Sequence, residues 1–331
     1  MPHMARPTSD RQAYAGRQPR WLVAAACVLA AITGSGAIGA SAAAGAAGDS
    51  RDSGGSGGSG GSRDSVHVSV DPAQTTKLPQ PVACPSCWHP AVDTTWDWVL
   101  SRVPRAPYRD VEMYDVDGFE TSKADVAAMH DAGIKVVCYL SAGSYESYRP
   151  DADRFPKRLL GAKNGWPGER WLDVRELQRH DSVLRSIMDD RLDMCQRKHF
   201  DMVELDNVDG YLNRSGFPLT AADQGYYNAT LANDAHDRGL SVLQKNDNEQ
   251  IPTLLPYFDG ALNEQCNQYH ECTTKQNGRF GLDQYVDAGM PVFQAEYKLK
   301  PGDFCPADNA NDFNGVRFAL SLDGSTFHPC R

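Results

Sequence analysis

The sequence predicts an α/β fold, a single parallel (β/α)8 barrel of the TIM type, carried behind an export signal and a flexible linker. Three observations predict it. Eight short apolar runs recur between helical stretches, with no long hairpins among them. Three segments, Asp131-Ala-Gly-Ile-Lys-Val, Asp237-Arg-Gly-Leu-Ser-Val and Asp287-Ala-Gly-Met-Pro-Val, each end a helical stretch at a glycine suited to the left-handed cap and then launch a strand. About 240–265 residues follow the leader and linker, the size of one barrel domain. The competing fold is an open doubly wound sheet, which has fewer strands and often a phosphate-binding glycine loop. The G-x-G-x-x-G match at Gly34, Gly36 and Gly39 lies in the leader without strand–helix context.

Taken in order, residues 1–47 read as a signal peptide. Arg6, Arg11, Arg17 and Arg20 form a basic region, an Ala-rich apolar stretch follows from Trp21, and Ala42 to Ala47 offer small-residue cleavage sites. An uncleaved anchor fits less well, because the glycines thin the apolar run. Residues 48–80, containing Gly-Gly-Ser repeats, read as a flexible linker. Residues 81–331 form the barrel domain. Its expected strands are Val111–Asp115, Lys135–Leu140, Trp171–Val174, Met202–Asp206, Ser241–Lys245, Gly260–Asn263, Pro291–Ala295 and Val316–Ser321. Leu184, Ile187, Met188, Leu192 and Cys195 share one helix face, as do Tyr227, Leu231 and Ala235. Ser122 with Asp125, and Thr220 with Asp223, have capping-box spacing.

Charge and cysteine content bound the function. The net charge is −10, and losing residues 1–47 removes four Arg and one Asp, leaving −13. A nucleic-acid partner is not expected, since phosphate binding needs a cationic face. Beyond the leader no apolar run is long enough to span a bilayer, so no stable membrane insertion is expected after cleavage. Eight Cys follow the cleavage region, an even number that suits disulfides in an exported, secreted protein. The expected pairs are Cys266–Cys272, Cys305–Cys330, Cys84–Cys87 and Cys138–Cys195. A zinc site at Cys84-x-x-Cys87 near His89 lacks a second ligand cluster.

Polar residues collect where the strands end, the rim on which barrel enzymes carry their chemistry. Asp115, Tyr139, Asp173, Glu204 with Asp206 and Asn207, Lys245 with Asn246, Glu264, and Glu296 with Tyr297 all fall there. Any one alone could be a solvated loop cap; their recurrence at seven strand ends predicts a polar cleft. Carboxylates and aromatics without a cofactor motif point to glycoside hydrolysis, which needs one carboxylic acid and one carboxylate nucleophile or base. Tyr114, Tyr139, Trp166, Tyr211 and Tyr297 are candidate sugar-facing rings, with ordinary core packing as the alternative for each. Glu204 competes with either acid, and Lys245 would favour the ionised form of its neighbours.

These motifs resemble glycoside-hydrolase family 114, the endo-α-1,4-polygalactosaminidases. The carrying segments are residues 138–146 (CYLSAGSYE), 166–175 (WPGERWLDVR), 203–211 (VELDNVDGY), 216–220 (GFPLT), 244–246 (QKN) and 263–266 (NEQC). The resemblance implies an extracellular barrel that cuts α-1,4-linked galactosamine polymers internally, with no metal or organic cofactor. It places the paired acids at Asp206 and Glu264. Asp115, Tyr139, Asp173, Glu204, Asn207, Tyr211, Lys245, Asn246, Glu296 and Tyr297 are expected around the substrate. A cationic polysaccharide partner suits the acidic balance, and a monomer is expected. The alternatives are a non-catalytic carbohydrate-binding barrel and a glycosidase acting on another amino-sugar polymer.

Overall fold

Eight parallel strands build the domain, in a computed structural model that describes residues 77–331. The expected leader and the linker as far as residue 76 lie outside the described residues. By residue 79 the chain is already bonded to the barrel: Pro79 O accepts from Tyr257 Oη, Asn233 Nδ2 donates to Gln80 O at 2.8 Å, and Val82 N donates to Asn233 Oδ1 at 2.8 Å.

The barrel strands are β1 (Trp96–Val99), β2 (Met113–Asp117), β3 (Lys135–Ser141), β7 (Met202–Asp206), β8 (Ser241–Lys245), β9 (Gly260–Glu264), β10 (Val292–Glu296) and β11 (Asn314–Phe318). They pair side by side in that order, every pair parallel. The seam between β11 and β1 is closed by side chains and loops. The Trp96 indole donates to Asn314 O at 2.8 Å, and Leu100 N donates to Leu322 O at 2.9 Å. A short strand β12 (Phe327–Pro329) runs antiparallel on the free edge of β11.

Two strand expectations change. Trp96–Val99 supplies a barrel strand that the sequence reading missed, because no helix follows it and the strand–helix rhythm is absent there. The expected strand Trp171–Val174 is not in the barrel. Its start belongs to β6 (Glu169–Leu172), which lies between β4 (Ser144–Glu146) and β5 (Leu160–Lys163) in a separate antiparallel sheet. This small sheet is an excursion between β3 and β7, and Val174 continues into a 3-10 turn.

The helices follow the sequence pattern. Ser122 and Thr220 form the expected capping boxes of α1 (Lys123–Asp131) and α3 (Ala221–His236). Gly133, Gly239 and Gly289 have φ of 79°, 74° and 77°, the left-handed geometry a helix exit requires. The apolar faces of α2 (Val183–Lys198) and α3 are buried against the sheet. Inside the barrel, period-2 alternation turns Trp96, Trp98, Met113, Val137, Met202, Leu243, Leu262, Phe293 and Phe318 into one lumen core. Trp96 packs on Phe293 and Phe318 with centroids 5.3 and 5.2 Å apart. All four expected disulfides are present. Among the described residues no helix is long and apolar enough to cross a membrane.

Candidate active site

The same alternation that fills the lumen with apolar side chains delivers charged ones at its upper end. On β7, Met202, Glu204 and Asp206 follow one another up the inner face; on β8 the series is Ser241, Leu243 and Lys245. Lys245 is the centre of the group. Its Nζ lies 2.7 Å from Asp206 Oδ1, 3.1 Å from Glu204 Oε1 and 3.3 Å from Glu264 Oε2. The ammonium also sits 4.9 Å from the Trp98 ring centroid. Burial pulls its pKa down, but Asp206, Glu264 and Glu204 outweigh burial and hold it well above the ordinary lysine value.

Asp206 receives four donors. Lys245 Nζ and Asn207 N (2.7 Å) reach Oδ1; Tyr139 Oη (2.9 Å) and Asn207 Nδ2 (3.0 Å) reach Oδ2. Glu264 accepts from Tyr297 Oη on Oε1 and from Asn246 Nδ2 at 3.1 Å on Oε2. Burial, and then the adjacent carboxylates, push both tyrosines well above their usual pKa, so they remain donors. The strand ends that hold these groups turn sharply: Asn207, Asn246 and Gln265 all have positive φ. An asparagine adopts that region more readily than most residues, and the turn brings Asn207 and Asn246 back to the mouth.

A cleft of about 690 Å³ opens over this group. Its floor includes Trp98, Tyr139, Asp206, Lys245, Glu264 and Tyr297. One wall comes from the small antiparallel sheet and its loops. There Tyr148 Oη reaches both Glu146 Oε1 (2.9 Å) and Glu169 Oε1 (3.1 Å), and Arg149 bridges Glu146 and Asp117. Asn164 Nδ2 donates to Glu169 Oε2 at 2.7 Å. Burial raises the Glu169 pKa.

The structure therefore brings Asp206, Glu264, Tyr139, Asn207, Lys245, Asn246 and Tyr297 to the cleft. Glu204 and Asp115 lie directly beneath, both fully buried. Three expected positions lie elsewhere. Asp173 is held by Arg175 through two 2.7 Å bonds at the head of a 3-10 turn. Glu296 faces outward from β10, where Asn267 N (3.0 Å) and Gln294 Nε2 (3.0 Å) donate to its Oε1. Tyr211 Oη donates to Asp247 Oδ1 at 2.9 Å, behind the cleft.

Trp98, Glu146, Tyr148, Arg149, Asn164 and Glu169 line the cleft without having been among the expected site residues. Glu146 and Glu169 stand inside the runs 138–146 and 166–175 that carry the family resemblance, and membership of those runs was their available signal. Trp98 had none beyond its alternation with Trp96.

Residues 78–330 match glycoside-hydrolase family GH114. No curated protein matches the chain. Among solved structures, Ega3 of Aspergillus fumigatus in complex with galactosamine is 34% identical, with a TM-score of 0.68 over 76% of this chain and 100% of that one. The glycoside hydrolase domain of PelA from Pseudomonas aeruginosa is 16% identical with a TM-score of 0.53, covering 70% of this chain and 97% of that one, a likeness of fold. A carboxylate-lined cleft at the strand ends of this barrel, together with the match over nearly all described residues, establishes that the chain belongs to glycoside-hydrolase family GH114.

Proposed function

We propose that the protein is a secreted endo-acting hydrolase of α-1,4-linked galactosamine polymers, with Asp206 as nucleophile and Glu264 as acid. The observation that carries this is the ammonium of Lys245 set between the two carboxyls, closer to Asp206. Four donors on Asp206 suit an acceptor-only anion. Glu264 has three such contacts, from Tyr297, Asn246 and Lys245, and the ammonium lies 3.3 Å from it against 2.7 Å from Asp206, so we place the transferable proton there.

Contact with one nitrogen keeps the nearer oxygens of Asp206 and Glu264 within about 6 Å of each other. Retaining pairs stand roughly 5–5.5 Å apart, a spacing that this bound accommodates, and retention is the reading adopted here. In the first step Glu264 protonates the glycosidic oxygen while Asp206 attacks the anomeric carbon, forming a glycosyl-enzyme. In the second, Glu264 takes a proton from water, which displaces Asp206. Tyr139, Asn207 and Lys245 hold the nucleophile in line throughout.

Substrate charge agrees with the cleft. Seven carboxylates line it against Arg102, Arg149 and Lys245, a balance that attracts a polymer carrying free amines. The 34%-identical relative was crystallised with galactosamine.

The test is product sizing on de-N-acetylated or partly acetylated α-1,4-galactosamine polymer, where a ladder of oligosaccharides is expected. Monosaccharide alone would reject the endo mode; cleavage of a neutral glucan with the galactosaminan left intact would reject the substrate. Asp206→Asn and Glu264→Gln preserve shape, so each should lower kcat by about 10³ or more while the melting temperature holds. If Glu264→Gln keeps full turnover and Glu204→Gln abolishes it, the acid is Glu204.

A further inference from the structure

Two carboxyls beneath the nucleophile take no part in the steps above. Asp115 on β2 and Glu204 on β7 are both 0% exposed. Both stand on the inner face of the barrel, on β2 and β7 with only β3 between them, and the Glu204 charge adds to burial in raising Asp115. Among the described residues no protein donor is hydrogen-bonded to any oxygen of either, apart from the ammonium contact of Lys245 with Glu204 at 3.1 Å. That ammonium is already shared with Asp206 and Glu264. Four carboxyls thus surround one cation, two at the cleft floor and two buried in the lumen beneath.

Around the pair, Asp117 at the end of β2 with its partner Arg149, Tyr139 on β3, Asp206 on β7, Lys245 on β8, Glu264 on β9 and Tyr297 after β10 are the titratable groups among the described residues. On β1 and β11 the lumen carries Trp98, Val316 and Phe318, none of which brings charge. Two adjacent anions with no donor between them repel strongly in so dry a setting. A carboxylic acid donating to a carboxylate removes the repulsion and gives Asp115 the only hydrogen bond open to it.

We propose that Asp115 and Glu204 share one proton and act together as positioning residues, presenting a single negative charge beneath Lys245 that holds its ammonium against Asp206. Burial acts on both carboxyls in the same direction, with Glu204 pushed up to about 7. A second charge in the pair would draw Lys245 downward and away from the nucleophile. With none, the ammonium would lose its lower anchor. The proposal rests on the assignment of Asp206 as nucleophile, so its test has one arm that needs no substrate.

That arm is carbon-13 NMR of the side-chain carboxyls in the full protein, with the Asp115 signal assigned by its loss in Asp115→Asn. The Asp115 signal should stay at the protonated position from pH 4 through the ionisation of Glu204 near pH 7, above which the pair carries its single charge. An Asp115 signal at the ionised position at pH 6 would overturn the proposal whatever the substrate proves to be.

The second arm is kinetic. Asp115→Ala strips Glu204 of its donor and should lower kcat about tenfold or more with KM little changed, and Glu204→Gln should do the same. Asp115→Asn supplies an amide donor in place of the shared proton and should recover most of that loss, to within about threefold of wild type. Equal losses in Asp115→Asn and Asp115→Ala, at unchanged melting temperature, would show that Asp115 acts by charge and end the shared-proton account. Should Asp115→Ala not fold, the comparison of Asp115→Asn with Glu204→Gln carries the same decision.

Discussion

Gly143 shows how much of the site is backbone. A Cβ there would collide with the Asn207 carbonyl, and both Ala142 N (2.9 Å) and Gly143 N (3.0 Å) donate to Asp206 O. The Ser-Ala-Gly turn after β3 is therefore pressed onto the end of β7, and a side chain would push the nucleophile out of register. Gly143→Ala should lower kcat about 10²-fold, with a smaller effect on melting temperature, because near-attack geometry tolerates little displacement. Glu296 offers a residue-level prediction of another kind. Burial pushes its pKa up to about 7. Its stabilising contribution is thus complete below the unfolded value near 4 and is lost as pH rises through about 7, on the order of 3 kcal/mol. Glu296→Gln imitates the protonated acid, so it should remain more stable than wild type at about pH 8 and differ little at about pH 5. Thermal melts across that range decide the matter. The strand-end rule picked out both Glu296 and Tyr297, yet adjacent residues of one strand face opposite sides, and Phe293 and Ala295 give the inner parity to Tyr297. Asn207 and Asn246 escape that parity through their left-handed turns, a conformation the sequence does not announce.

At the level of elements, seven of the eight barrel strands were legible, six of them followed by helical segments, and the reading failed at β1 and in the stretch after β3. β1 passes to β2 through a loop without a helix, and residues 142–182 hold a small antiparallel sheet where a barrel strand, Trp171–Val174, was expected. Asp173 was placed on a barrel strand for that reason; it caps a turn beyond β6 instead. The excursion is long, and a covalent tie spans it: Cys138 on β3 is joined to Cys195 on α2, 57 residues apart, with both cysteines fully buried. Closing a loop of that size in the unfolded chain is worth about 4 kcal/mol in the chain-entropy account. A Cys138→Ala/Cys195→Ala protein should lose a stability of that order in denaturant titrations. Its KM should stay near the wild-type value, since the cleft wall is tied separately through Asp117, Arg149 and Glu146. A loss below about 1 kcal/mol would mean that packing of α2 alone already orders the excursion.

For the whole molecule, acidic balance was the one functional hint that needed no motif, and the structure concentrates it. The chain carries −10 overall, and the cleft repeats the sign, with Asp117, Glu120, Glu146, Glu169 and Asp209 around the two proposed catalytic acids. Asp209, pushed up to about 6 by burial, adds its charge only above that pH. Such a field acts mainly on encounter, because low-dielectric walls focus it into the cleft while salt screens it outside over about 8–10 Å. The reaction centre itself is shielded: the Lys245 side chain is 2% exposed. Two salt dependences should therefore separate. On a de-N-acetylated polymer, kcat/KM should fall about tenfold between roughly 20 and 300 mM salt, with kcat nearly constant. Acetylating the polymer removes its positive charge and should flatten the first dependence without touching the second. Because the cleft and its charges lie wholly within residues 77–331, a chain beginning at Lys77 should give the same pair of curves. A kcat/KM that ignores salt on the free-amine polymer would show that recognition depends on neutral contacts with the sugar rings, and would leave the negative cleft without a part in choosing the substrate.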